Sequence, residues 1–154
     1  MTSFDVVAVV RKTLNIKKIG HAGTLDPNAE GLLIILVDKA TKALPFLAFN
    51  RKEYVAQLRF GIKTNTGDIW GEVIDRNDSM NIDESMIESV LKTFMGVTKQ
   101  TPPKVSAISI KGKRLYEYAR ANIDVEIPER EIEIFNIEKL AYEEGILTFK
   151  VECS

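Results

Sequence analysis

Apolar positions at helical spacing predict four helices. In TSFDVVAVVRKTLN, the residues Phe4, Val7, Val10 and Leu14 recur every three or four positions, which predicts a helix capped by Ser3. DESMIESVLKTFMG predicts a second helix that ends at Gly96. Its apolar stripe consists of Met86, Ile87, Val90, Leu91 and Phe94. Two shorter segments predict short helices: ATKALPFLAF, with Pro45 in or near its first turn, and RLYEYARAN.

Continuous and alternating apolar runs predict strands between these helices. GLLIILV is a short apolar run after a glycine. Such a run is typical of a buried strand. Four residues of KEYVAQLRFG share one face of a half-buried strand: Tyr54, Ala56, Leu58 and Phe60. GEVIDR predicts another strand, and the last 24 residues predict two strands joined at Glu143–Gly145. Without regular βαβ alternation, the fold class is α+β, with a mixed, largely antiparallel β-sheet and flanking helices.

Composition limits the class of protein. The 154 residues are 45% hydrophobic and 28% charged, which suits one domain with a core. The longest apolar run, Leu32–Val37, is too short to cross a bilayer. One cysteine, Cys153, and one histidine provide neither an internal disulfide nor a Cys/His zinc cluster. No secretory leader opens the sequence, so we expect a cytoplasmic protein.

Charge is segregated along the chain although the net charge is only −1. Residues 1–63 carry ten Lys/Arg against five Asp/Glu, and residues 99–120 carry six against one. The other two blocks, residues 64–98 and residues 121–154, carry an excess of Asp and Glu. If the fold brings the basic blocks together, they form a positive face for a polyanion. The alternative is that the charged residues lie on separate solvated faces, and the charge pattern alone favours this alternative.

The segment KIGHAGTLDPNAEG contains the only histidine, His21, and Asp26 five residues later. One interpretation is structural, in which Asp26 caps a helix that begins at Pro27 and the glycines only form turns. The other is a ligand loop, because glycines allow backbone to approach a ligand and a carboxylate can act as nucleophile, base or charge stabiliser. Glu30 is the only second acid nearby. No P-loop or dinucleotide-binding fingerprint is present.

Three segments of the chain, in order, resemble the TruB family of tRNA pseudouridine synthases. GHAGTLDPNAEGLLIILVDKATK is similar to the family's GH-x-G-x-LDP-x-A-x-G segment with its following strand and ATK turn. KEYVAQLRFGIKTNTGDIWGEV resembles the family's strand and T-x-T-x-D-x-x-G loop, and FMGVTKQTPPKVSAISIKGKRLYEYAR its Q-x-P-P…G-x-R-x-Y segment. The likeness covers nearly the whole chain. The stand-alone tRNA enzymes fit better than the dyskerin-type relatives, which work with guide RNAs.

The resemblance implies a reaction and a set of site residues. A uridine in the T-loop of tRNA is detached at N1, turned, and rejoined to the ribose through C5, which requires no cofactor and no metal. Asp26 is then the essential carboxylate, and Tyr54 stacks on the flipped uracil. His21 packs into the place that the base has left, and Gly20 and Gly23 let the loop approach the RNA.

The second basic block resembles the family's mobile arm, which clamps the T-arm of tRNA. Lys111, Lys113 and Arg114 are its expected RNA-binding residues, because phosphate contacts depend on such cations. Its other cations and aromatics are Lys99, Lys104, Arg120, Tyr116 and Tyr118. From the residues alone, a charged surface hairpin is equally possible. Trp70 we assign to packing.

The resemblance also implies that family segments lie outside these 154 residues. They are a KP-x-G segment before TSFDVV, a KGTYIR segment after VECS whose arginine pairs with the aspartate, and a PUA-type RNA-binding domain. We therefore expect residues 1–154 to be a partial catalytic domain, of weak or no activity, and a monomer without an obligate protein partner. Two alternatives remain: a T-arm binding module without catalysis, and an unrelated carboxylate enzyme acting on a small nucleotide or sugar.

Overall fold

A computed structural model describes residues 1–26, 28–47, 51–79, 82–103, 109–110, 112–121 and 123–154. The chain divides into two compact units, Met1–Phe49 and Asn50–Ser154. The helices are α1 (Ser3–Leu14), a 3₁₀ helix (Asp38–Phe46), α2 (Glu84–Lys92) and α3 (Leu115–Arg120). The strands are β1 (Ile19–Ala22), β2 (Ile34–Val37), β3 (Lys52–Arg59), β4 (Ile62–Thr64), β5 (Val73–Arg76), β6 (Gly96–Gln100), β7 (Ser109–Ile110), β8 (Lys113–Arg114), β9 (Arg130–Glu143) and β10 (Ile146–Cys153). Among the described residues, we find no helix with the length and apolarity needed to cross a membrane.

Helix α1 begins one residue earlier than the sequence predicts. Thr2, not Ser3, is the N-cap: its hydroxyl accepts the Asp5 N–H at 3.2 Å, and the Asp5 carboxylate accepts the Thr2 N–H at 2.7 Å. This capping box satisfies two backbone donors and holds the pKa of Asp5 below its ordinary value. Ser3 is therefore the first helical residue, with a hydroxyl that the cap does not use. Of the predicted apolar stripe, Val7 is buried, whereas Phe4 and Leu14 remain largely exposed.

The rest of the first unit is a small antiparallel pair of strands followed by a 3₁₀ helix. Strand β1 pairs with β2, and β2 confirms the prediction of a strand in GLLIILV. The short helix predicted in ATKALPFLAF is present as a 3₁₀ helix, but Pro45 lies in its last turn rather than its first. Pro45 has no N–H to continue the hydrogen bonding, so the helix ends beside it. The segment 48–50 lies outside the described residues.

A four-stranded antiparallel sheet in the order β3–β10–β9–β6 forms the centre of the second unit. Helix α2 packs against β9. The predicted α+β class with a largely antiparallel sheet is confirmed. The turn between β9 and β10 lies where the sequence predicts it, with Glu144 and Gly145 both at positive φ. Strand β6 was not predicted, because GVTKQ has no alternating apolar pattern.

The core of this unit lies between α2 and the sheet. Ile87 and Leu91 of α2 and Leu147 of β10 are buried there, with partly buried Phe60, Ile82, Ile137, Tyr142 and Phe149 around them. The rest of the predicted α2 stripe is about half exposed: Met86, Val90 and Phe94. Lys139 donates to Glu84 Oε1 at 2.6 Å, which ties α2 to β9 and raises the pKa of Lys139.

Three shorter features complete the second unit. Strand β5 confirms the strand predicted in GEVIDR, and it pairs with β4 in an antiparallel arrangement that the sequence did not predict. Strands β7 and β8 pair on either side of Gly112, whose φ of 82° is in the left-handed region that glycine adopts without strain. Helix α3 follows directly, as predicted, and its first residue, Leu115, is only 1% exposed.

Candidate nucleic-acid interface

His21 lies on β1, opposite Ile35 of β2, at the point where the loop 23–33 begins. Its ring is partly buried, and Nδ1 donates a hydrogen bond to the carbonyl oxygen of Gly23. Gly23 has a φ of 83°, in the left-handed region that glycine adopts without strain. A turn of this kind brings the carbonyl back toward the imidazole.

Asp26 is exposed on the same loop, and its carbonyl oxygen accepts the Ala29 N–H at 2.9 Å. This bond closes a short turn. No helix begins after Asp26 in the described part of the loop, so the interpretation of Asp26 as a helix cap is wrong. Residue 27 lies outside the described residues. The loop instead presents an accessible carboxylate, as a ligand-binding loop requires.

The residue before Asp26 is held by α1. The Leu25 N–H donates to Ser3 Oγ at 3.0 Å, and Ser3 Oγ donates to the Leu25 carbonyl oxygen at 3.4 Å. Ser3 is 6% exposed. Sequence reasoning placed Ser3 in a cap and missed this contact, since 22 residues separate the partners and no local pattern signals it.

Gly20 lies in β1, and a methyl group added at this position would meet no atom within 4 Å. Tyr54 lies on β3 of the second unit, opposite Val151 of β10, with 49% of its surface exposed. The predicted apolar face of β3 is less buried than expected, since Leu58 is also exposed and Ala56 and Phe60 are only partly buried. The stacking of Tyr54 on the uracil stays a prediction.

Lys113 is exposed on β8, opposite Ile110, and Arg114 on the same strand pairs with Ser109. The two residues therefore belong to a short hairpin, and its binding to RNA, which the resemblance implies, stays a prediction. Lys104 and Lys111 lie outside the described residues. The exposed ammonium group of Lys113 is accessible to a phosphate.

The loop 65–71 contains functional candidates that the sequence analysis did not single out. Trp70 is 72% exposed and Ile69 is 87% exposed, so the assignment of Trp70 to packing is wrong. Asp68 Oδ1 accepts from Thr66 Oγ1 at 2.7 Å and from the N–H groups of Trp70 and Gly71 at 2.9 and 3.1 Å. These donors lower the pKa of Asp68, and the Thr66 hydroxyl has the largest effect. The signal in the sequence was the Thr/Asn/Asp/Gly composition, which is typical of side-chain-to-backbone turns.

Comparison with known proteins identifies the family. The model of the TruB family pseudouridylate synthase N-terminal domain matches residues 11–154. A relative from Alkaliphilus oremlandii, named tRNA pseudouridine synthase B, is 49% identical over 154 residues, covering 100% of this chain and 51% of the relative. A relative of the same name from Caldicellulosiruptor saccharolyticus is 47% identical over 100% of this chain and 53% of its own length. The chain thus spans about half the length of these curated relatives.

Solved structures agree with this assignment. A chain of a Cbf5–Nop10–Gar1 complex matches with a TM-score of 0.69 and 29% identity, over 99% of this chain and 36% of that one. A chain of an H/ACA RNP bound to a substrate RNA containing 2′-deoxyuridine matches with a TM-score of 0.65 and 27% identity, over 99% and 34%. Together with the family match, these likenesses show that the chain belongs to the TruB family of pseudouridylate synthases.

Proposed function

We propose that the protein isomerises a uridine in the T-loop of tRNA to pseudouridine, with Asp26 as the essential carboxylate. The observation that carries the proposal is the exposed carboxylate of Asp26. It lies on a loop that is hydrogen-bonded to α1 through the preceding residue, Leu25, in a chain that belongs to the TruB family. In the reaction the C1′–N1 bond breaks and a C1′–C5 bond forms. The hydrogen on C5 leaves as a proton, and N1 regains one. Every other atom of the uridine stays in the product.

The surrounding residues support base flipping in this proposal. His21 occupies the place that the uridine leaves, and Gly20 and Gly23 allow the loop backbone to come close to RNA. A stacking residue in the vacated place offsets part of the few kcal/mol that flipping costs. Tyr54 stacks on the extruded uracil. Neither its position nor that of His21 against RNA follows from the fold alone, so both are part of the proposal.

The arm supplies affinity rather than chemistry. Lys113 and Arg114 of the hairpin, together with Lys111, contact phosphates of the T-arm. Such contacts position an RNA without reading its sequence. We also propose that the protein acts as a monomer, in the cytoplasm and without an obligate protein partner, and that residues 1–154 are part of its catalytic domain.

Tritium release tests this function directly, because forming the C1′–C5 bond expels the hydrogen on C5. The substrate is a T-arm stem-loop labelled with tritium at C5 of its uridines. We expect release by this chain joined to the remaining half of the Alkaliphilus oremlandii relative, weak or no release by residues 1–154 alone, and none above background by either form that carries Asp26→Asn. Asp38→Asn is the matched control, since Asp38 is an exposed aspartate of the same unit and should leave release unchanged.

Stem-loop binding, measured in parallel, separates the alternatives. Asp26→Asn should bind with an affinity within about 2-fold of the wild type, since Asp26 acts in the reaction rather than in phosphate contacts. The assay is run on this chain and on the chain joined to the remaining half of the Alkaliphilus oremlandii relative. If both bind the stem-loop and neither releases tritium, the protein is a T-arm binding module. If neither prefers the stem-loop to a free nucleotide, the tRNA function is wrong.

A further inference from the structure

Ser3 makes a two-sided hydrogen bond with a single residue of the candidate loop. Its hydroxyl oxygen accepts the Leu25 N–H at 3.0 Å and donates to the Leu25 carbonyl at 3.4 Å. The serine is buried, with 6% of its surface exposed. A buried hydroxyl without hydrogen-bond partners destabilises the folded state. The Leu25 backbone satisfies both the donor and the acceptor of the Ser3 hydroxyl, so the contact stabilises this arrangement.

The helix fixes the place of this hydroxyl. Thr2 and Asp5 complete the capping box, which leaves the Ser3 side chain available to the loop. Four residues on, Val7 is 1% exposed and anchors the same face of α1. The contact of α1 with β1 ties the helix to the strand that carries His21. Ser3 therefore projects from a support that is rigid compared with a free loop.

The Leu25 carbonyl belongs to the peptide unit that joins Leu25 to Asp26. The hydrogen bonds to the N–H and the carbonyl of Leu25 fix the orientation of this planar peptide unit. The Cα of Asp26 lies in the same plane, so its position is fixed as well. The other constraint on Asp26 is the turn in which its own carbonyl accepts the Ala29 N–H at 2.9 Å. Its carboxylate is exposed. A misplacement of about 1 Å at a reacting group can cost about 100-fold in rate.

We propose that Ser3 is a positioning residue for Asp26: through the backbone of Leu25 it sets where the carboxylate stands when the nucleotide is bound. The inference rests on the proposed function of Asp26. It assigns a role in catalysis to a residue outside the loop, one that touches neither RNA nor the reacting atoms.

Three substitutions at Ser3 and one elsewhere test this role. Ser3→Ala and Ser3→Cys remove or weaken the hydrogen bonds, and Ser3→Thr keeps the hydroxyl. Val7→Ala is the matched control, because it weakens the packing of α1 and leaves the Ser3–Leu25 contact in place. The readouts are the hydrogen-exchange rate of the Leu25 amide, the single-turnover rate of tritium release, and the affinity for the stem-loop, all at a temperature where every variant is folded.

We expect Ser3→Ala and Ser3→Cys to lower the single-turnover rate about 10- to 100-fold, with the stem-loop affinity within about 2-fold of the wild type. The Leu25 amide should exchange at least about 10-fold faster in both. Ser3→Thr should restore both quantities toward the wild type. Val7→Ala should lower the melting temperature and leave the Leu25 exchange and the rate close to the wild type.

Two results would overturn the inference. One is an unchanged Leu25 exchange rate in both Ser3→Ala and Ser3→Cys, and the other is an equal loss of rate in Val7→Ala. Failure of the proposed function looks different, since tritium release would then be absent or insensitive to Asp26→Asn. Even in that case the exchange rates decide whether Ser3 holds the loop.

Discussion

Asp68 and Trp70 are joined by a hydrogen bond in which the Trp70 N–H donates to Asp68 Oδ1 at 2.9 Å. The same oxygen accepts from Thr66 and Gly71, and the Thr64 hydroxyl donates to the Asp68 carbonyl at 2.8 Å. One carboxylate thus organises the whole turn between β4 and β5. The consequence is an indole that lies largely in solvent on an ordered backbone. Trp70 is the only tryptophan in the chain, so its fluorescence reports this loop alone.

The stability of this loop should depend on pH in the acidic range. The pKa of Asp68 is lower in the folded chain than its ordinary value, because the hydroxyl of Thr66 and the amides of Trp70 and Gly71 favour the ionised form. The ionised carboxylate therefore stabilises the folded state in full above the unfolded-state pKa of about 3.9. That stabilisation is lost as the pH falls through the folded-state pKa.

The measurement compares wild type with Asp68→Asn in denaturant titrations followed by Trp70 fluorescence. At pH 7 we expect the wild type to be the more stable, since the amide keeps an acceptor and loses the charge. The difference should shrink as the pH falls below about 4. A difference that stays constant down to pH 2 would show that Asp68 does not act through its charge.

Gly71→Ala should destabilise the same loop by steric conflict. A Cβ at this position would overlap Thr66 Oγ1 and lie 2.8 Å from Asn65 Oδ1 and 2.9 Å from Thr64 Cβ. Overpacking of this kind costs about 1–3 kcal/mol, which urea denaturation measures. Gly20→Ala is the control, because no atom lies within 4 Å of its added methyl group. Equal effects of the two substitutions would contradict the steric explanation.

Local patterns predicted the elements whose determinants lie within a few residues. The spacing of Val7 and its neighbours marked α1, and the Glu/Gly pair at 144–145 marked the last turn. Relationships between distant residues left no such signal. The bond from Ser3 to Leu25 depends on how α1 packs, and the edge position of β6 depends on its pairing with β9.

Residue type misled the analysis where exposure was at issue. Tryptophan is usually well buried, yet Trp70 is presented by a turn that Asp68 organises. Met86 and Val90 follow the helical period of α2 but are about half exposed, whereas Ile87 and Leu91 are buried together with Leu147 of the sheet. Periodicity predicts which residues form an apolar stripe on a helix. How many of them are buried depends on the elements that pack against that stripe.

His21→Phe and His21→Ala distinguish stacking from hydrogen bonding in the proposed flipped state. If the ring only fills the place of the base, Phe should retain most of the tritium-release rate, whereas Ala should lower it about 10- to 100-fold by losing stacking worth about 1–3 kcal/mol. The imidazole also donates from Nδ1 to the Gly23 carbonyl, and neither variant can do so. Equal losses in Phe and Ala would therefore assign the role of His21 to that bond rather than to stacking.

Lys113→Ala tests the arm through the salt dependence of RNA binding. Each phosphate contact releases condensed counterions, so losing one contact should reduce the slope of log K against log salt by about 0.7 to 0.9. Lys113 is exposed on the β7–β8 hairpin, where a phosphate can reach it. Lys92→Ala, at an exposed lysine in the last turn of α2, is the control and should leave the slope unchanged. The affinity loss in Lys113→Ala should be the same for stem-loops of different loop sequence, because a phosphate contact does not read bases. An unchanged slope in Lys113→Ala would place the phosphate contacts elsewhere, and a loss confined to one loop sequence would make Lys113 a base-reading residue instead.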